Sequence, residues 1–404
     1  MQNKVLLLEG IHQGAQTKLE ETGFSVELLP GALPTRDLIA KLKNFSIVGI
    51  RSKTQIDEEV LAASSHLDAI GAFCIGTNQI ALDAANIRGI PVFNAPYSNT
   101  RSVAELVICE MIALSRRLGD VNSMAHQGQW LKSASGSKEV RGKTLGIVGY
   151  GHIGSQVSVL AESLGLNVVF YDIMKKLPLG NATIMDSLEG LLAVSDFVTL
   201  HVPETPLTKD MISMAQLKKM KKGSFLINAS RGTVVDIPAL VEVLKSQHIG
   251  GVAIDVFPSE PENNTQKFES ELQGLKNVIL TPHIGGSTEE AQVAIGQEVS
   301  ESLIRFMKLG STFGSVNFPQ IDPPPLKAQA QRLINIHKNV PGVMMEINSC
   351  VSKAGANIVA QYLSTDSQIG CVVMDFEGSS ITQLVQQITS LKNSIKTKGY
   401  QLPF

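Results

Sequence analysis

Four cysteines in 404 residues, Cys74, Cys109, Cys350 and Cys371, are too few and too scattered for a disulfide framework. No two form a C-x-x-C pair, so reduced thiols of a cytosolic protein, filling core positions, are expected. Charge of one sign is equally scarce. A formal net charge of −2 excludes a broad nucleic-acid or membrane surface and confines any anion site to a local cluster. No apolar run approaches the length of a transmembrane helix. The opening Val5–Leu8 stops at Glu9, far short of a signal peptide's apolar region. The eight histidines lack close metal-ligand spacing, which predicts no metal site. Tryptophan occurs once, at Trp130, in a polar segment where an exposed aromatic suggests a subunit contact.

What is present is ordinary for a globular enzyme: 43% apolar and 18% charged residues, in a chain long enough for two or three domains. Residues 1–98 alternate short apolar runs (Lys4–Leu8, Ser25–Leu28, Ser46–Ile50, Ala69–Phe73, Pro91–Phe93) with helical patterns, which predicts βαβ units and a parallel sheet. Arg101–Leu118 reads as a helix linking two lobes. A second series follows (Leu145–Val148, Asn167–Tyr171, Phe197–Leu200, Ser224–Asn228, Gly251–Ile254, Val278–Leu280), and five or six such strands make a doubly wound sheet. From Thr288 to about Leu309 a helical pattern is expected to return the chain to the first lobe. Asp322-Pro-Pro-Pro325 is a stiff linker, and beyond it the patterns run β-α-β-β-α-β, a small ferredoxin-like unit whose last strand lies near Ile395–Leu402. The expected fold is therefore α/β: two doubly wound, Rossmann-like lobes and a C-terminal ferredoxin-like module. The expected boundaries are 1–98 with 287–325, 99–286, and 326–404.

The second series begins with Gly149-Tyr-Gly151-His152-Ile153-Gly154, glycines at G-x-G-x-x-G spacing between an apolar strand and a helical pattern. The first glycine permits a tight turn, the second lets backbone approach a pyrophosphate, and the third lets helix pack on strand. The helix start, at His152 and Ile153, offers N–H groups to phosphate. Asp172, about twenty residues on, can accept hydrogen bonds from an adenosine ribose and would repel a 2′-phosphate, so NAD is expected rather than NADP despite Lys175 and Lys176 nearby.

Three further residues fall at expected strand ends of the same sheet. Arg231, in Asn228-Ala229-Ser230-Arg231-Gly232, can grip a carboxylate with two parallel hydrogen bonds. Glu260 lies between two prolines after Asp255, and His283, in Thr281-Pro-His283-Ile284-Gly285-Gly286, suits proton exchange near neutral pH. Singly, each has a plain alternative: a surface arginine, a loop carboxylate, a satisfied turn histidine. The dense run Lys218–Lys222 reads as a solvated helix end.

In this order the motifs resemble those of the D-isomer-specific 2-hydroxyacid dehydrogenase family. The resemblance implies that His283 is the acid/base, Glu260 orients and charges it, and Arg231 binds the substrate carboxylate and reacting oxygen. It also implies that Asp255 lies near the nicotinamide, that Ala229, Ser230, Ile284, Gly285 and Gly286 line the cofactor, and that His201-Val-Pro203 is a loop beside it, in which His201 is expected to be structural. Within the family, Ile75-Gly76-Thr-Asn78, Ser98-Asn99-Thr-Arg-Ser-Val-Ala-Glu105 and the C-terminal module are similar to the branch that oxidises D-3-phosphoglycerate. That branch implies a phosphate site at Arg51 and Lys53, with Gly76 and Asn99 on the substrate. Lys53 stands where such relatives often carry arginine, and it lacks the planar fork. The C-terminal segment resembles an ACT domain, in which paired units bind L-serine; His337, Asn339 and Asn357 match its ligand positions. A cytoplasmic, serine-inhibited homotetramer is implied. Two alternatives stay open: another D-2-hydroxyacid dehydrogenase, such as a hydroxypyruvate or 2-oxoglutarate reductase, and a non-catalytic NAD-responsive binding module.

Overall fold

In a computed structural model, residues 3–261, 265–327 and 329–400 are described. Met1–Ser98 with Gln292–Phe404 make one compact unit, and Asn99–Ala291 make another.

The first unit holds a parallel sheet of β1 (Lys4–Leu7), β2 (Ser25–Leu28), β3 (Ile47–Ile50), β4 (Ala69–Ala72) and β5 (Val92–Phe93), in the order β2-β1-β3-β4-β5. Central strands covered on both faces must be apolar at every position, and β3 and β4 are buried throughout. The period of two divides their side chains between two cores. Val5, Leu7 and Ile47 meet Ile295, Val299, Leu303 and Phe306 of helix Glu289–Leu309. Leu6, Leu8, Val48 and Ile50 meet Leu38, Leu42, Val60 and Leu61 on the other face. Gly71 lets that long helix lie close, since a Cβ there would stand 2.9 Å from Val299.

The second unit holds β6 (Thr144–Val148), β7 (Asn167–Tyr171), β8 (Thr183–Ile184), β9 (Phe197–Leu200), β10 (Phe225–Asn228), β11 (Gly251–Ile254) and β12 (Val278–Leu280), all parallel, in the order β12-β11-β10-β9-β6-β7-β8. The order reverses between β6 and β9, the switch point where doubly wound sheets bind ligands at their carboxyl ends. This sheet has seven strands, one more than the hydropathy pattern shows. The extra strand β8 is two exposed edge residues with no buried period to betray it. The expected helix Arg101–Leu118 also differs. It runs Thr100–Ser115 and gives way to a second helix, Leu118–His126, because Arg117 takes a left-handed φ of 52° that no α-helix can contain.

The C-terminal module is antiparallel: β13 (Gln331–Lys338), β14 (Asn357–Thr365), β15 (Ile369–Glu377) and β16 (Ser394–Tyr400), in the order β14-β15-β13-β16, with helices Val343–Lys353 and Ile381–Thr389. This is the ferredoxin-like βαββαβ arrangement. Gln401 and Leu402, within the last expected strand, lie outside the described residues. One sheet face packs on the two helices through Leu333, Val372, Met374 and Phe376. The other, through Ile334, Ile336, Cys371, Val373 and Tyr400, joins the core of the first parallel sheet. Arg332 is fully buried there and held by Asp375 (2.6 and 2.8 Å) and the carbonyls of Leu309 and Pro324.

All four cysteines are free, and one placement departs from expectation. Cys109 is exposed rather than in a core, because the helix Thr100–Ser115 turns its 103–107–111–114 stripe inward and leaves position 109 outside. Cys371 is buried, which pushes its thiol up to about 12. Among the described residues no helix is long and apolar enough to cross a membrane, and no cluster of His, Cys, Asp and Glu could hold a metal ion.

Candidate active site

The three fingerprint glycines have three separate reasons in the structure. Gly149 ends β6 with φ of 91°, and a Cβ on it would stand 2.3 Å from the carbonyl oxygen of His201 at the end of β9. Gly154 is pressed against the same loop, where a Cβ would lie 2.2 Å from Gly149 O. Gly151 is the opposite case: a Cβ would meet nothing within 4 Å, leaving its backbone open to a ligand. Helix His152–Ser163 starts there with no side chain capping it, so its first turn is available to a phosphate, with His152 exposed and Ile153 half-buried beside it. At the end of β7, Asp172 accepts hydrogen bonds from Tyr150 N and Met174 N, both at 2.8 Å. One N–H per oxygen leaves lone pairs for a diol. An open glycine, an uncapped helix start and a carboxylate beside them fit a dinucleotide. His201 is structural: Nε2 meets Thr199 Oγ1 at 3.0 Å, and burial pushes its ring down to about 3, so it stays neutral.

Along the same sheet edge, Asn228 organises the arginine turn. Its Oδ1 accepts from Ser230 N (3.1 Å) and Ser230 Oγ (2.8 Å), and its Nδ2 donates to Arg231 O at 3.0 Å. Ala229, half-buried, lies between them. Gly232 allows the Arg231 turn to rest on the segment before Glu260, since a Cβ there would be 2.0 Å from the Phe257 carbonyl carbon. Glu260 accepts from Phe257 N at 3.0 Å and, with Oε2, meets His283 Nδ1 at 2.9 Å. Nε2 of His283 is thereby left as the ring nitrogen available for proton exchange. Electrostatics join the three. Hydrogen bonding to Glu260 raises the His283 pKa against its partial burial, with the charge on Arg231 opposing. Burial disfavours the Glu260 carboxylate, but His283, Phe257 N–H and Arg231 outweigh it and hold its carboxyl below the usual range.

His283 sits at φ of 55°, a left-handed position that a non-glycine residue keeps when its surroundings hold it. Asp255 does the holding. It is 1% exposed, and it accepts from Thr281 Oγ1 (2.6 Å), Ile284 N (2.8 Å) and Gly285 N (2.8 Å). Its carboxylate is thus engaged mainly with its own turn. Gly286 follows, close enough to the helix start for a Cβ to meet Asn99 Nδ2 at 2.4 Å, so Asn99 borders this turn.

In the first unit, two residues that motif reading passes over build the basic loop. Glu9 accepts from Arg51 N (3.2 Å), Lys53 N (3.0 Å) and Thr54 N (2.8 Å). Gln79 ties Arg51 O (2.7 Å) to Gly76 O (3.2 Å), joining the loops after β3 and β4. Backbone amides consume the Glu9 charge, and among the described residues no ion pair is found for the Arg51 or Lys53 head groups.

The three C-terminal candidates do not meet within one chain. His337 is buried against Gly370, where a Cβ would lie 2.3 Å from Nε2, and its Nδ1 meets Asn335 Oδ1 at 3.1 Å. Burial lowers its pKa and keeps it neutral. Asn339 donates to Asp366 O at 2.7 Å. Asn357, however, pairs in register with Glu377, whereas His337 pairs with Gly370. Those two partners are seven residues apart along β15, roughly 23 Å at strand rise. A site using all three residues needs a second copy of the module.

Residues 108–285 match the D-isomer specific 2-hydroxyacid dehydrogenase NAD binding domain, and residues 333–396 match the AHAS small subunit-like ACT domain. The chain is 52% identical to the D-3-phosphoglycerate dehydrogenase of Escherichia coli over 98% of its length and 97% of that protein. It is 51% identical to the enzyme of that name from Dictyostelium discoideum, over 98% and 96%. Among solved structures, D-lactate dehydrogenase from Aquifex aeolicus, complexed with NAD and lactic acid, superposes with a TM-score of 0.68 at 26% identity, covering 79% of this chain and 100% of that one. With NAD as its cofactor, this oxidoreductase belongs to the D-isomer specific 2-hydroxyacid dehydrogenase family.

Proposed function

We propose that this enzyme, in the cytoplasm, oxidises D-3-phosphoglycerate to 3-phosphohydroxypyruvate, the first step of the phosphorylated route to L-serine. The observation that carries the reading is the 2.9 Å pair of His283 Nδ1 and Glu260 Oε2 beside Arg231. Bound NAD supplies the hydride acceptor. Nε2 of His283 takes the proton of the substrate hydroxyl, and Glu260 stabilises the resulting imidazolium. Arg231 holds the substrate carboxylate and the oxygen at the reacting carbon. Gly149, Gly151 and Gly154, with the helix start at His152 and Ile153, take the pyrophosphate, and Asp172 takes the ribose. Ile173 and Met174, exposed directly after Asp172, offer an apolar face to adenine.

Arg51 and Lys53 take the substrate phosphate, the backbone at Gly76 its carboxylate end, and Asn99 contacts the substrate. For wild type, kcat/KM for D-3-phosphoglycerate should exceed that for unphosphorylated D-glycerate by about a hundredfold, two charge-assisted contacts at about 1.5 kcal/mol each. Arg51→Ala and Lys53→Ala should each lower the first about tenfold and leave the second unchanged. NADH absorbance with a substrate panel reads this directly. Equal constants for the two acids would point to another D-2-hydroxyacid dehydrogenase.

L-serine is proposed as the inhibitor, bound by His337 and Asn339 of one chain and Asn357 of another, within a homotetramer. The in-chain separation of Asn357 supports this pairing, as does β14, an edge strand with Ile358, Val359 and Leu363 exposed. Serine should slow wild type but leave Asn339→Ala and Asn357→Ala at their uninhibited rates. Mixing the two variants into hybrid oligomers should restore part of the inhibition, because some interfaces then carry one intact site. Equal inhibition of wild type and both variants would reject the site.

A further inference from the structure

Helix Thr100–Ser115 buries Val103, Val107, Glu110 and Leu114 on one stripe, so a carboxyl occupies a core position. Glu110 is 3% exposed. Among the described residues its Oε2 has no hydrogen-bond partner, and its Oε1 lies 3.5 Å from Thr281 Oγ1. Thr281 Oγ1 is much closer, 2.6 Å, to Asp255 Oδ1. A hydroxyl has one hydrogen, and the shorter contact with a charged acceptor takes it. Toward Glu110 the threonine oxygen can then act as acceptor alone, which requires a neutral carboxyl as donor.

The surroundings require the same state. Burial, reinforced by the Asp255 charge, pushes Glu110 up to about 8. The strands beneath this helix, β10, β11 and β12, carry no ionisable side chain. The neighbouring helix His152–Ser163 has an exposed His152 and a Glu162 whose carboxylate is turned to Gly180. On its own helix, Arg101 and Glu105 pair with each other at the exposed start. Beyond Asp255 stands His283, which feels the same carboxylate.

We propose that Glu110 is a positioning residue for proton transfer: as a neutral acid it donates to Thr281, whose hydroxyl holds Asp255 under the turn that carries His283. The proposal rests on His283 being the proton acceptor. Ionisation of Glu110 would set two carboxylates against one hydroxyl, and repulsion would release the Asp255 hold on Ile284 N and Gly285 N. His283 would then lose the support that keeps it at φ of 55°.

The test is the pH profile of oxidation, from about pH 6 to about pH 10, for wild type, Glu110→Gln, Thr281→Ser and Thr281→Val, each with NAD affinity measured separately. Wild-type kcat/KM should fall about tenfold per pH unit above about pH 8. Glu110→Gln keeps a donor at every pH, so it should retain neutral-pH turnover within about twofold and lose the alkaline fall. Thr281→Ser should follow wild type. Thr281→Val should lower kcat about tenfold with NAD affinity unchanged. Thermal unfolding supplies a second reading. Between the ordinary Glu value and about 8 an unfolded Glu110 binds fewer protons than the folded one, so this group contributes a loss of stability as pH rises, and Glu110→Gln should make the decline shallower than in wild type. A wild-type profile without the alkaline fall, a fall that persists in Glu110→Gln, or a Thr281→Val enzyme with wild-type turnover would each overturn the proposal. Turnover retained in His283→Asn would instead mark failure of the underlying proton-transfer assignment.

Discussion

Replacing His283 with asparagine is expected to lower kcat for NADH formation by about a thousandfold while NAD affinity stays within about twofold, because the base is lost and the nucleotide contacts are not. Stopped-flow NADH absorbance and nucleotide titration separate the two. The pH dependence carries a sign as well. Hydride removal requires neutral His283, and its pKa is raised by the hydrogen bond and charge of Glu260. Oxidation therefore rises with pH through that raised value, and the reverse reduction, which needs the imidazolium, falls through it. Glu260→Gln removes the anion that raises the pKa, so the acid limb of oxidation should move to lower pH while kcat drops. An acid limb that stays in place would separate Glu260 from the titration of His283. Retained turnover in the asparagine variant would refute the proton-transfer role of His283, whereas a wild type that binds NAD but turns over no 2-hydroxyacid would leave a non-catalytic NAD-responsive module as the better description.

The second large effect concerns Arg231. Arg231→Lys keeps the positive charge but loses the planar fork, and kcat/KM for the 2-hydroxyacid should fall about a hundredfold or more, as when a preorganised donor to a developing charge is removed. The loop itself should survive, because the three Asn228 bonds to Ser230 and the Arg231 carbonyl remain when the guanidinium's own contact with Ser230 O (2.7 Å) is lost. A second consequence is electrostatic. The Arg231 charge lowers the His283 pKa, so Arg231→Gln should shift the acid limb of oxidation upward, opposite to Glu260→Gln. Parallel shifts in the two variants would contradict the arrangement of the trio.

Much of this protein is written in local pattern. The alternation of apolar runs with helical periods in residues 1–98 and 144–280 announces parallel sheets, since central strands covered on both faces need apolar side chains at every position. Elements without such a period are invisible by the same logic: the two-residue β8 and the break at Arg117. Turn residues at strand ends mark Gly149, Arg231 and His283 as candidates, because their spacing is a matter of adjacent residues. Glu110 was legible too, as a carboxyl on an otherwise apolar 103–107–114 stripe, although no motif draws attention to it.

What the sequence by itself determined is the set of local chemistries: a glycine turn for a pyrophosphate, an acid about twenty residues on, and an arginine, a glutamate and a histidine each closing a strand. Tertiary structure alone decided which of them meet. Residues 23 positions apart bring Glu260 to His283 because β11 and β12 are neighbours in register. A distant glutamate, Glu9, shapes the Arg51 loop because β1 and β3 are paired, although β2 intervenes in the chain. The register of β14 and β15 keeps Asn357 away from His337, so a site that looks complete in sequence is incomplete in a single chain. The reason is physical: spacing along a chain sets the order of side chains, whereas sheet order and register set the distances over which hydrogen bonds and charges act.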